Sequence, residues 1–252
     1  MIRVLGMIAF VGFIVAVACF AGAAALGGRD IVEHGWRIPS DWHIDIDDHD
    51  GVDDWDDGDA SDAASSRDFT WDGATSLDVE ATAEVRYTQA EGPAKLTISG
   101  PKATLDHLVV KDGKVRFDEP MDHRRRLLIV MSAPNVSRFA LNGDDKLTIA
   151  AFKQDHLAID ISGHGEAEAQ GEARSFDLRI SGSGEADLVR LSSEAGKVDI
   201  AGSGHAKIAP RSSADVIIAG SGEVTLSSRP KDLRSSVSGS GRLIQDDEDE
   251  DS

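Results

Sequence analysis

Ile161-Ser162-Gly163-His164-Gly165 is followed by Ile180-Ser181-Gly182-Ser183-Gly184 and Ile200-Ala201-Gly202-Ser203-Gly204. Ile218-Ala219-Gly220-Ser221-Gly222 and Val237-Ser238-Gly239-Ser240-Gly241 complete the series. All five are one phrase: an apolar residue, a small residue, then Gly-x-Gly. The first glycines are spaced by 19, 20, 18 and 19 residues, and Asn142-Gly143-Asp144-Asp145 stands 20 residues upstream as a degenerate opening copy. A period this steady marks a repeat architecture.

The residues around the glycines give the period its physical content. After each pair the chain alternates, as in Glu185-Ala186-Asp187-Leu188, His205-Ala206-Lys207-Ile208 and Glu223-Val224-Thr225-Leu226. Period-two alternation is a half-buried strand, with Ala186, Leu188, Ala206, Ile208, Val224 and Leu226 on the inner face. A second strand precedes each pair: Phe176–Ile180, Gly196–Ile200 and Asp215–Ile218. The bend between them falls on glycine, which can take positive φ and lets neighbouring backbones approach. A less regular third segment, 190–195 or 209–214, closes each loop. One repeat cannot bury its own apolar row, so like positions must stack coil on coil. The expected fold is all-β, a right-handed parallel β-helix (a β-solenoid) with repeats of about 19 residues. The alternative is an antiparallel sandwich in which Gly-Ser forms hairpin turns. The shared inward and outward assignment of five copies favours stacking.

The glycines expected to shape the coils are Gly143, Gly163, Gly165, Gly182, Gly184, Gly202, Gly204, Gly220, Gly222, Gly239 and Gly241. They are not phosphate loops. A dinucleotide fingerprint needs G-x-G-x-x-G opening a helix and a P-loop needs Gly-Lys-Ser/Thr; here strands follow.

The run from about Arg67 to Gln245 also resembles a bacterial family, the head GIN domain of auto-transporter adhesins. The Gly-x-Gly copies carry the resemblance, with Phe69–Val79, the Lys111–Phe117 hairpin, Leu127–Pro134 and Val136–Gly143. It implies a β-solenoid and an adhesive role, and it brings no catalytic motif.

The flanks differ from this body. Residues 4–26 form an uncharged apolar run behind Arg3, long enough to span a bilayer. Ala21-Gly-Ala23 and Ala23-Ala-Ala25 offer cleavage sites, so residues 1–28 read as a signal peptide or a membrane anchor. Either way Arg3 stays on the cytoplasmic side and the repeats are exported: held in the periplasm by an anchor, or cleaved and secreted or surface-bound. Cys19, the only cysteine, lies in this run and lacks the leucine that a lipidation site wants three residues earlier.

Residues 29–66 are an acidic linker, with 11 aspartates and no lysine or arginine between Asp41 and Asp62. Residues 246–252 are an acidic tail carrying six more acids. Net charge is −19 overall, yet residues 63–245 hold 26 acids against 23 bases, so the flanks carry it. The linker is expected to be a disordered, self-repelling spacer. Its spacing fits no EF-hand loop, which leaves weak, diffuse divalent-cation association and no cofactor. Trp36, Trp42 and Trp55 are unusual in a spacer, and Trp36 suits a membrane interface.

Residues 67–140 alternate without the glycine phrase (Leu77–Tyr87, Lys95–Ser99, and a hairpin over 108–117 turning at Asp112-Gly113) and are expected to form the first coils and a cap. The acidic tail is expected to discourage end-to-end pairing at the other end.

Glu166, Glu185 and Glu223 recur on one face and evoke a glycosidase carboxylate pair. His205 and Arg242 hold equivalent positions, which makes the row a solvated strand face. His164 and His205 occupy different repeat positions, with no third ligand at matching spacing. Arg124-Arg125-Arg126 is the one basic cluster, suited to keeping an edge soluble or to contacting the acidic linker. An acidic chain without a basic stripe speaks against nucleic acid.

The sequence therefore predicts a non-catalytic envelope binding or scaffolding protein. It would touch the membrane through residues 4–26 and an envelope polysaccharide or protein through the solenoid face. The alternatives are a carbohydrate-active β-helix enzyme and an inner-membrane-anchored periplasmic sensor or accessory protein.

Overall fold

The computed structural model describes residues 64–119 and 126–246. The apolar run 4–26, the acidic linker to residue 63, Arg124, Arg125 and the tail from residue 247 lie outside the described residues. Among the described residues no helix is long and apolar enough to cross a membrane.

From residue 146 onward the chain winds as a parallel solenoid of about five turns. β9 (Lys146–Gly163) and β10 (Glu166–Gly182) each run along two sides of a coil. Later coils divide into β11 (Glu185–Asp187), β12 (Leu191–Gly202), β13 (His205–Ile208), β14 (Pro210–Gly220), β15 (Glu223–Leu226), β16 (Asp232–Gly239) and β17 (Arg242–Gln245). Every pairing among them is parallel, which excludes the antiparallel sandwich.

Two walls face each other across the core. One stacks the strands after the glycines: Lys146, Glu166, Glu185, His205, Glu223 and Arg242 lie in register, coil over coil. The other stacks the strands before them and carries the ladder Leu141, Ile161, Ile180, Ile200, Ile218, Val237. Its members through Ile218 are at most 1% exposed. The inward alternates expected after the glycines (Ala186, Leu188, Ala206, Ile208, Val224, Leu226) are buried to the same degree. The closing segment is more regular than its sequence: Gly171–Ala173 pairs with Phe152–Gln154 on one side and Leu191–Ser193 on the other.

The N-terminal part is less predictable. The alternating run 77–87 breaks at residues 80–82 into β2 (Ser76–Val79) and β3 (Ala83–Gln89). The chain then leaves through β4 (Lys95–Pro101), the short helix α1 (Lys102–Asp106) and the hairpin β5 (Leu108–Lys111)–β6 (Lys114–Phe117). Asp112 and Gly113 turn that hairpin at φ 52° and 75°, as a tight two-residue turn demands. The chain returns through β7 (Leu127–Ala133) and enters β8 (Arg138–Gly143).

Pairing shows where these pieces stack. β2 lies between β6 and β8, and β3 lies between β7 and β9. Spatial order therefore differs from chain order: the β6 and β7 layer sits outside the β2–β3 coil, although it comes later. Outside that layer β1 (Ala64–Phe69) pairs antiparallel with β4, and β4 antiparallel with β7. Leu105 of α1 is 1% exposed, and Arg67 of β1 donates to Leu105 O at 2.9 Å and to Asp106 Oδ1 at 2.5 Å. This end of the core is plugged.

Candidate functional site

The glycine phrase is the joint of each coil. The first glycines, Gly143, Gly163, Gly182, Gly202, Gly220 and Gly239, sit at φ between 109° and 129° and stack in register. A Cβ on Gly202 would fall on the carbonyl oxygen of Gly182. That approach lets hydrogen bonds run through the turn: Ser203 N–H donates to Gly182 O at 2.8 Å and His205 N–H to Gly184 O at 2.9 Å. The second glycines, Gly165, Gly184, Gly204, Gly222 and Gly241, serve packing. A Cβ on Gly204 would meet Ile180 Cγ2 at 2.6 Å, and Gly184, Gly222 and Gly241 stand likewise against Ile161, Ile200 and Ile218. The phrase couples the isoleucine of one coil to the second glycine of the next.

Asp145 replaces that glycine in the opening copy. It is 1% exposed, and its carboxylate accepts Ala83 N–H at 2.8 Å and Asn142 N–H at 3.1 Å. Burial pushes its pKa up to about 6, against the smaller opposing effect of these donors and of Arg126. Arg126 itself donates to Asp144 O at 2.9 Å. A buried carboxylate held by backbone donors on both oxygens is a structural clasp. In the sequence this position reads only as part of a degenerate copy; its one signal is an acid where a glycine belongs.

The titratable candidates from the sequence scatter over the outer surface. Glu166 faces Glu185 in the next coil and Glu168 faces Asp187, a juxtaposition of like charge that by itself is unfavourable. Lys146 relieves it, with Nζ 3.1 Å from Glu166, and Arg190 reaches Glu168 at 2.9 Å. The carboxylate of Glu166 raises the Lys146 pKa. Glu223 is bound by Arg242. His205 lies between Glu185 and Glu223 in the same row, while His164 stands on the turn, 3.4 Å from Asp144. The structure does not bring the two histidines to one register position. Among the described residues no group of three or more His, Cys, Asp or Glu is arranged to hold a metal ion.

Two features stand out on the outer surface. On the wall before the glycines, outward rows alternate in charge: Asp177, Lys197, Asp215 and Arg234 form one, and Asp160, Arg179 and Asp199 its neighbour. Asp160 sits 3.5 Å from both Arg138 and Arg179. At the closing side, a groove of about 660 Å³ crosses the coils, lined by Lys153, Glu172, Arg174, Glu194 and Arg211. Ser193 also lines it; this residue is 2% exposed and its Oγ has no hydrogen-bond partner.

A parallel coil with a plugged N-terminal end and a charged, patterned exterior defines the chain as a β-solenoid domain. The chain belongs to the family described as "Putative auto-transporter adhesin, head GIN domain", whose model matches residues 74–230, more than half of its length. No curated protein matches it. Its fold is similar to that of a putative adhesin from Bacteroides fragilis NCTC 9343, at 18% identity and TM-score 0.58, over 74% of this chain and 99% of that one. It is also similar to a putative adhesin from Parabacteroides distasonis ATCC 8503, at 13% identity and TM-score 0.54, over 74% and 98% of the two chains.

Proposed function

We propose that this protein is a non-catalytic, adhesin-like contact protein of the bacterial envelope, wound as a right-handed coil and exported behind residues 4–26. The observation that carries the reading is the alternating charge lattice. Asp177, Lys197, Asp215 and Arg234 project from strands about 4.8 Å apart, on a backbone held rigid by continuous ladders. Such a surface offers repeated, evenly spaced ionic and hydrogen-bonding partners to an extended ligand, an envelope polysaccharide or protein. A lattice of opposite charges costs little stability and favours specificity over raw affinity. The family description points the same way. The acidic linker then acts as a spacer between membrane and solenoid.

The experiment is co-sedimentation of the full-length chain with envelope fragments of the bacterium that makes it. Reversing Arg179 and Lys197 to glutamate leaves the coil folded and lowers binding at least several-fold. Equal sedimentation of the folded double variant would remove the lattice from the account. Turnover of envelope polysaccharide by the wild-type chain would replace the reading with an enzymatic one.

A further inference from the structure

The two ends of the solenoid are finished differently. At the N-terminal end α1, β1 and β4 lie over the core. At the C-terminal end the last coil, β16 and β17, has no covering element among the described residues. Val237 continues the isoleucine ladder yet is 43% exposed, and Leu233, in register with buried Ala214, is 41% exposed. Every residue of β16 is exposed. The strand is eight residues long and contains no proline, and its core-facing residues Leu233, Ser235 and Val237 carry no charge. The core-facing positions of β16 carry neither the charge nor the proline that protects an open edge, and the acidic tail expected to discourage pairing follows β17, on the other wall, and not β16.

We propose that this open coil is the seat of a second copy of the same chain, joined tip to tip about a twofold axis. The spacing of β16 argues for a second copy over an unrelated partner. Leu233 and Val237 stand symmetrically two residues either side of Ser235. An antiparallel pairing centred on Ser235 sets each Leu233 against the partner's Val237, extending the apolar interior across the join. In that register Arg234 meets Ser236 and Asp232 meets Ser238, so no like charges oppose. A head-to-tail stack is blocked, because the other end of every copy is plugged by Leu105 and its surroundings. The contact is isologous and closes at two, without growing into a fibre. It leaves the two N-terminal caps at opposite ends of the assembly, so two anchored chains could meet from opposing surfaces. That consequence rests on the envelope reading above; the dimer itself does not.

The test uses the full-length chain with Cys19→Ser and Ser235→Cys, oxidised in whichever fraction of the producing cell or its medium holds the chain. Opposed residues of an antiparallel pair hold their Cα atoms about 4.5–5.5 Å apart, inside the range of about 4.4–6.8 Å that a disulfide spans. Most of the chain is then expected at twice its mass, with little dimer from Ser181→Cys, an outward site on β10, in the same background. Val237→Asp added to Ser235→Cys is expected to abolish the dimer, while circular dichroism keeps the strand signal. A monomer in which the thiol introduced by Ser235→Cys reacts freely with a maleimide would overturn the proposal. So would a monomer in which that thiol becomes reactive only after residues 247–252 are deleted, because the tail would then be the occupant. Loss of envelope binding with the dimer intact would overturn the functional reading alone.

Discussion

The carboxylate of Asp145 accepts the backbone N–H of Ala83, 62 residues earlier in the chain, at 2.8 Å. This bond ties the first regular coil to the β2–β3 coil, which the chain visits, leaves for the cap, and never re-enters. Continuity cannot hold that coil in place as it holds the others, so pairing and this clasp must. Asp145→Ala strands the N–H groups of Ala83 and Asn142 and should cost about 1–3 kcal/mol in chemical denaturation. A cost near zero would mean that the clasp is incidental.

The same carboxyl sets a pH dependence. Its folded pKa, about 6, lies above the ordinary 3.8, so between these values the folded chain holds a proton that the unfolded chain has released. The stability it contributes is fully present below about 3.8 and is lost as pH rises to about 6. Asp145→Asn should cancel this part of the slope. Unfolding free energies of the two proteins, measured across that window, should differ by a changing amount within it and a constant amount above it.

Gly202 and Ser203 are neighbours with opposite tolerances. Gly202→Ala places a Cβ on the Gly182 carbonyl oxygen at a φ of 129° and should destabilise by about 1–3 kcal/mol or more. Ser203→Ala, on the turn, should stay within about 0.5 kcal/mol of wild type. Equal effects would show that the turn is not the joint of the coil.

Ala151 carries φ 54° at the point where β9 holds one residue more than β10. The left-handed conformation costs an L-residue about 1–2 kcal/mol. Glycine removes that cost, offset in part by the greater backbone entropy it loses on folding. Ala151→Gly should raise stability by about 0.5 kcal/mol, readable as a higher denaturation midpoint with unchanged slope.

Phe176 lies in register with Gly196 of the next coil, and a Cβ there would meet its ring. Gly196→Ala should cost about 1–3 kcal/mol by overpacking. Adding Phe176→Leu should recover part of the loss, so the two substitutions should couple in a double-mutant cycle. Strict additivity would contradict the contact.

The repeat region was legible because one physical constraint recurs in it. Glycine is needed where coils touch, so Gly182, Gly202 and Gly220 mark the joints, and the alternation of 185–188 or 223–226 marks a wall. The period then gives the register directly. The N-terminal part carries no such mark. Nothing in Leu77–Tyr87 shows that the chain bends at residues 80–82, or that the layer formed by β6 and β7 stacks outside it, because those choices depend on contacts far away in sequence. The site was less legible still. Glu166, Glu185 and Glu223 could be placed in one row with His205 and Arg242. The answering rows of the opposite wall, Asp177 with Lys197 and Asp160 with Arg179, emerge only once the coils are superposed. The clasp was hidden for the same reason: its partner is a backbone N–H, and no residue type announces one.

An envelope contact protein must first be outside the inner membrane, and protease accessibility in the bacterium that makes the chain decides this. Spheroplasts with a sealed inner membrane are treated with protease, and the mature N-terminus is read by mass spectrometry. The solenoid is expected to be digested from outside, or already released to the medium, with the undigested chain recovered in the envelope or secreted fraction. A solenoid that resists external protease until the inner membrane is lysed, and is recovered with cytoplasmic proteins, would contradict the envelope reading.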